Sequence, residues 1–117
     1  MNDSILNTIK QMLGITTTQT EFDTDIIIHI NTVINILHQL GIFHSENDGY
    51  SITGPTETWS NYLTDIDKLQ MVKTYVYLKV KLIFDPPLNA TVISSMKEQI
   101  AELEFRLLEN HNDFKAE

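Results

Sequence analysis

At 117 residues, with 42% hydrophobic and 21% charged side chains, the chain has the composition of one globular domain, which excludes a disordered, collagenous or repetitive protein. The formal net charge of −8 excludes attraction to phosphate by the overall field, and the lack of cysteine excludes a disulfide framework, a zinc thiolate site and a thiol nucleophile. No stretch approaches the ~18 uninterrupted apolar residues of a membrane span, and the first residues have neither a basic start nor a small-residue cleavage site, so they read as mature protein made in the cytoplasm.

In chain order, Asp3 or Ser4 offers a side-chain oxygen to cap a first short helix, whose apolar face is Ile5, Ile9, Met12 and Leu13 and whose stop is Gly14. The polar β-branched run Thr16 to Thr20 favours an extended connection. A second, long helix begins between Thr20 and Asp25 and ends at Gly41. Its stripe is Ile26, Ile30, Val33, Leu37 and Leu40, broadened by Ile27, Ile34 and Ile36. The isoleucine run would suit a strand, but the three- and four-residue recurrence lasts for about five turns and strict alternation never sets in.

Residues 42 to 56 are the least helical part: Asn47-Asp48-Gly49 lies between short apolar segments and Gly54-Pro55 follows, which predicts a projecting loop or a short β-hairpin. Thr56 to Leu63 reads as a short helix that brings Trp59 and Leu63 to one side, with Trp59 placed in the core or, alternatively, in a subunit interface.

The next stretch, about 66 to 84, is too apolar for a surface helix. Leu69, Val72, Val76, Val80 and Ile83 recur at helical spacing, and Met71, Tyr75, Leu78, Leu82 and Phe84 widen that stripe round most of the circumference. This is the central helix, opened by Asp65 and Asp67 and stopped by Pro86 and Pro87. Its four lysines, Lys68, Lys73, Lys79 and Lys81, are spread round the helix, with Lys68 and Lys79 close in direction, and form no single basic stripe. They read as long stems covering core edges. Asn89 or Thr91 caps a last helix with a narrow stripe of Val92, Met96, Ile100, Leu103 and Leu107; Glu98, Glu102 and Arg106 follow at four-residue spacing on its outer side. The final residues, ENHNDFKAE, lose the period and are expected to fray as a flexible tail over 110–117. The fold class is therefore all-α: one domain over 1–117, a small bundle of four to five helices around the central one.

Catalytic patterns are missing. The four histidines His29, His38, His44 and His111 lack HExxH spacing, and Glu21, Asp23 and Asp25 lack the rest of a calcium loop and read as helix-start charges. The glycines form neither GxGxxG nor GxxxxGK. No metal, cofactor or catalytic residue is expected; a surface that binds another protein is.

Four segments in order carry a resemblance: FDTDIIIHINTVINILHQLG (22–41), ITGPTETWSNYL (52–63), KLQMVKTYVYLKVKLIFDPP (68–87) and MKEQIAELEFRL (96–107). The telling residues are Leu40 and Gly41, Trp59, the run from Met71 to Tyr77, and the exit Phe84-Asp85-Pro86-Pro87. Together they resemble the head-tail connector, or adaptor, family of long-tailed bacteriophages, across nearly all of the chain.

The resemblance implies a virion protein at the head-tail junction, made in the host bacterial cytoplasm. It further implies a homo-oligomeric ring of about a dozen copies beneath the portal protein, which continues the DNA channel and offers a docking surface to a tail-side stopper or tail-completion protein. DNA would pass without specific binding, and no membrane is involved. On that reading Phe43, Tyr50, Ile52 and Trp59 are candidates for the subunit interface, and Leu108, His111, Phe114 and Lys115 for a portal-facing tail. The competing expectation is a helical protein-binding or regulatory module that holds a partner helix without forming a ring.

Overall fold

The computed structural model describes residues 3–40, 50–63 and 66–115, with backbone alone at 66 and 109–115. It is an all-α protein: α1 (Ile5–Met12), α2 (Asp23–Gln39), α3 (Trp59–Tyr62), α4 (Ile66–Phe84) and α5 (Ala90–Lys115). No strand occurs among the described residues, where pairing is limited to one antiparallel bridge between Ser4 and Thr58.

Ser4 caps α1 by accepting a hydrogen bond from the Asn7 amide at 3.1 Å, and Gly14 ends it with a φ of +85°, a region glycine enters without a Cβ clash. The buried face is Ile5, Leu6, Ile9 and, unexpectedly, Lys10, while Met12 turns outward. Lys10 can be inside because its charge is met there. Its Nζ donates to the Gln19 carbonyl at 2.6 Å and the Thr17 carbonyl at 3.3 Å, and makes a charge contact with Asp23 Oδ1 at 2.8 Å. The connection between α1 and α2 is thus a series of turns folded round an ammonium group, where the sequence suggested an extended strap.

No side chain caps α2. Phe22 occupies the capping position, and the first turn is held by backbone bonds from Asp23 to Thr20 and from Ile26 to Phe22, at 3.1 and 3.0 Å. Asp23 and Asp25 still put negative charge at the positive end of its dipole. Ile26, Ile30, Val33, Ile34 and Leu37 are buried as their spacing predicts. Asn31, one turn from Ile34, acts as a surrogate backbone: its amide donates to the Ile52 carbonyl at 3.0 Å and accepts from the Ile52 amide at 2.8 Å. The segment after residue 50 is thereby pinned along α2, and Ile52 enters the core. Most of the expected hairpin, including Phe43 and the Asp48-Gly49 turn, lies outside the described residues.

Thr58 caps α3 through the Asn61 amide at 3.2 Å, and α3 is shorter at both ends than its expected span of Thr56 to Leu63. Around it the chain start is tied down, because Ile5 donates to Glu57, Trp59 donates to Asp3, and the Ser60 hydroxyl donates to the Asp3 carboxylate at 2.5 Å.

α4 is the organising element. It packs against α2, α5 and α1, and buries Val72, Tyr75, Val76, Leu78 and Val80, each aliphatic side chain contributing roughly 1.5–3 kcal/mol. α2 runs antiparallel to it, since Phe22 at the start of α2 meets Phe84 at the end of α4 with ring centroids 5.5 Å apart. α5 returns antiparallel as well, with Tyr75 donating to Glu104 at 2.7 Å. Asn89 caps α5 through the amides of Thr91 and Val92 at 2.7 and 3.3 Å. Met96, Ile100 and Leu107 pack inward, but Val92 is exposed, as the stripe begins to meet the bundle one turn later. At its far end α5 stays helical to Lys115, through most of the segment where the period fades.

Candidate interaction surfaces

The polar chemistry inside the bundle serves structure. Tyr50 stacks on Tyr62 at 4.8 Å, and the Tyr62 hydroxyl lies 3.4 Å from His38 Nε2. Burial, and secondarily the neighbouring Tyr50, holds the Tyr62 phenol well above its ordinary value; burial and then the hydrogen bond to Glu104 do the same for Tyr75. Tyr50 is raised by burial and by the nearby Glu57 carboxylate. These phenols stay protonated, and the Tyr75 hydroxyl donates to Glu104. Glu57 moves the other way. Burial works against its charged form, but hydrogen bonds from the Thr53 hydroxyl, the Thr53 amide and the Gly54 amide outweigh it and lower the carboxyl.

The lysines of α4 follow the expected pattern of covering apolar edges. Lys73 Nζ sits 5.7 Å over the Trp59 ring and Lys79 Nζ 5.8 Å over Tyr75, while Lys81 pairs with Asp85 at 3.1 Å. On α5, Arg106 pairs with Glu102 at 2.8 Å.

Among the described residues, shallow hollows open to solvent. One, of about 230 Å³, lies between α4 and α5 and is lined by Thr74, Gln99, Glu102, Leu103 and Arg106. Another, of about 440 Å³, lies beside α2 and is lined by Ile28, Asn31, Thr32, Asn35, Tyr50 and Ser51. Neither brings together a nucleophile, a base and an oxyanion donor. Among the described residues no three histidine, aspartate or glutamate side chains gather as a metal ion requires, and no helix is long and apolar enough to cross a membrane.

The residues singled out in the sequence are distributed unevenly. Trp59 is wholly buried under Lys73, with no hydrogen-bond partner for its indole N–H among the described residues, and Ile52 is wholly buried in the same core. Neither presents surface to a neighbour. Tyr50 is half-buried at the rim of the larger hollow, and Phe43 lies outside the described residues. Leu108 packs partly against the core; His111, Phe114 and Lys115 ride on the last turns of α5, their side chains outside the described residues. Sequence reasoning missed the Asn31 clamp on Ile52, and the one available signal was an asparagine adjoining the apolar stripe of a long helix, where a polar side chain needs a partner.

No curated protein and no solved structure matches the chain. The family model described as Phage connector protein matches residues 5–113, from the first residue of α1 almost to the end of α5. The match takes in every helix of the bundle, and the chain belongs to the phage connector family, as a structural component of the virion.

Proposed function

We propose that this protein is a ring-forming head-tail adaptor, which docks under the portal, extends the DNA channel and gives the next tail-side component its attachment surface. The observation that carries this reading is the family match over residues 5–113. It is supported by a compact bundle whose polar groups are spent on its own structure, leaving outer surfaces as the functional parts. An acidic chain of net charge −8 also suits a conduit, because like charge lets DNA slide instead of adhering.

In the ring, Phe43 and Tyr50 are the candidates to reach a neighbouring copy. Ile52 and Trp59 support that region from beneath. The portal-facing part is the end of α5, with Leu108, His111, Phe114 and Lys115.

Native mass spectrometry across a concentration series, with and without purified portal protein, tests the reading. A closed ring, alone or templated by the portal, is the expected result. A chain that stays monomeric and never binds the portal overturns it, and a one-to-one complex with some other helical protein points to a binding module instead.

A further inference from the structure

Among the described residues, seven large apolar side chains are substantially exposed, and five of them share one end of the bundle. Met12 ends α1, Phe22 opens α2, Ile83 lies on the last turn of α4, Leu88 sits in the connection that follows, and Val92 lies on the first turn of α5. The edge contact of Phe22 with Phe84 at 5.5 Å and the Lys10 to Asp23 pair at 2.8 Å hold the termini of α1, α2 and α4 together, and the short connection after Phe84 brings the start of α5 to them. Leu88 is 104% exposed, so it does nothing for the fold of its own protomer. An apolar group concentrated on one end, with its most prominent member standing in water, marks an interaction site.

Its charge says what fits there. Two helix N-termini and two C-termini meet at this end, so their dipoles largely cancel and the side chains decide the sign. Among the described residues this end carries Glu21, Asp23, Asp25 and Asp85; Lys10 pairs with Asp23 and Lys81 with Asp85, which leaves Glu21 and Asp25 in excess. The rim is acidic.

We propose that this end docks a different protein, one that offers apolar side chains flanked by lysine or arginine. The proposal rests on the connector reading and names the surface and the chemistry of one of its partners. A second copy of the chain is the poorer occupant. Two such ends meeting face to face would set acid against acid, and Lys73, Lys79 and Lys81 are already placed over or beside residues of their own protomer.

Particles assembled without this chain supply two probes, DNA-filled heads and free tails. Each is sedimented with purified wild-type protein, Leu88→Glu and Leu88→Lys, all three checked for unchanged helicity and melting. Wild type binds the heads through the end of α5 and the tails through this end, so the Leu88 variants are read on the tails. Leu88→Glu weakens tail binding about tenfold, and Leu88→Lys weakens it further, because the new ammonium meets a basic rim. Binding of both variants at wild-type strength, or a greater loss with glutamate than with lysine, overturns the docking surface while leaving the connector reading intact. A wild-type protein that sediments with neither probe overturns both.

Discussion

At the scale of single residues, the core is carried by side chains whose replacement has a nameable consequence. Val76 is fully buried at the middle of α4, so Val76→Asp puts a charge where no partner waits and should cost several kcal/mol, a large part of the stability of a domain this size. Thermal melting checks this; a variant that melts with the parent would mean that α4 is not central. The tyrosines give a pH signature. Tyr62 and Tyr75 have phenols raised above the ordinary 10.0, so the stability they contribute is complete below that value and is lost as pH rises through their higher folded values. Alkaline titration followed by tyrosinate absorbance should show these two ionising only as the protein unfolds. Tyr75→Phe should remove one of the late-titrating groups.

At the scale of elements, what the sequence revealed and what it hid divide along physical lines. The two long helices α2 and α4 were legible because three- and four-residue recurrence over several turns outlasts what a strand's alternation could explain, even in the isoleucine run of α2. Lys10 was not: a lysine next to an apolar face reads as solvated until Thr17, Gln19 and Asp23 are seen to surround it. Met12 and Val92 were expected inside and lie outside, because periodicity tells which face is apolar without telling where the neighbouring helix ends. The sequence allows Trp59 in the core or in a subunit interface, and it is buried within its own protomer; burial there and burial against another copy leave the same trace in sequence. Turns offer a clean comparison. Gly14 has a φ of +85° and open space where a Cβ would stand, so Gly14→Ala should lower stability by about 1 kcal/mol through backbone strain alone. Gly54 also has open space but no positive φ, so Gly54→Ala should be neutral or slightly stabilising. Urea denaturation midpoints for the two variants make the test, and equal losses would refute it.

At the scale of the whole molecule, α5 is the longest helix at 26 residues against 19 for α4, and it therefore extends roughly 10 Å beyond the helix it packs on. Leu107 is the last fully buried side chain described along it. Deleting residues 112–117 should accordingly leave the melting temperature close to that of the parent while weakening attachment to the portal, measured by co-sedimentation. Attachment at full strength would remove the end of α5 from that interface.

The antiparallel bridge between Ser4 and Thr58 joins points more than fifty positions apart in the chain. An eight-residue helix has little stability of its own, so α1 can settle only after residues 57–60 have been synthesised and have found their places. It should be the last piece to join during folding and the first to detach. The amides of Ile5 and Trp59, which donate across the bridge to Glu57 and Asp3, should then exchange with deuterium at a common rate, faster than the amides in the middle of α4.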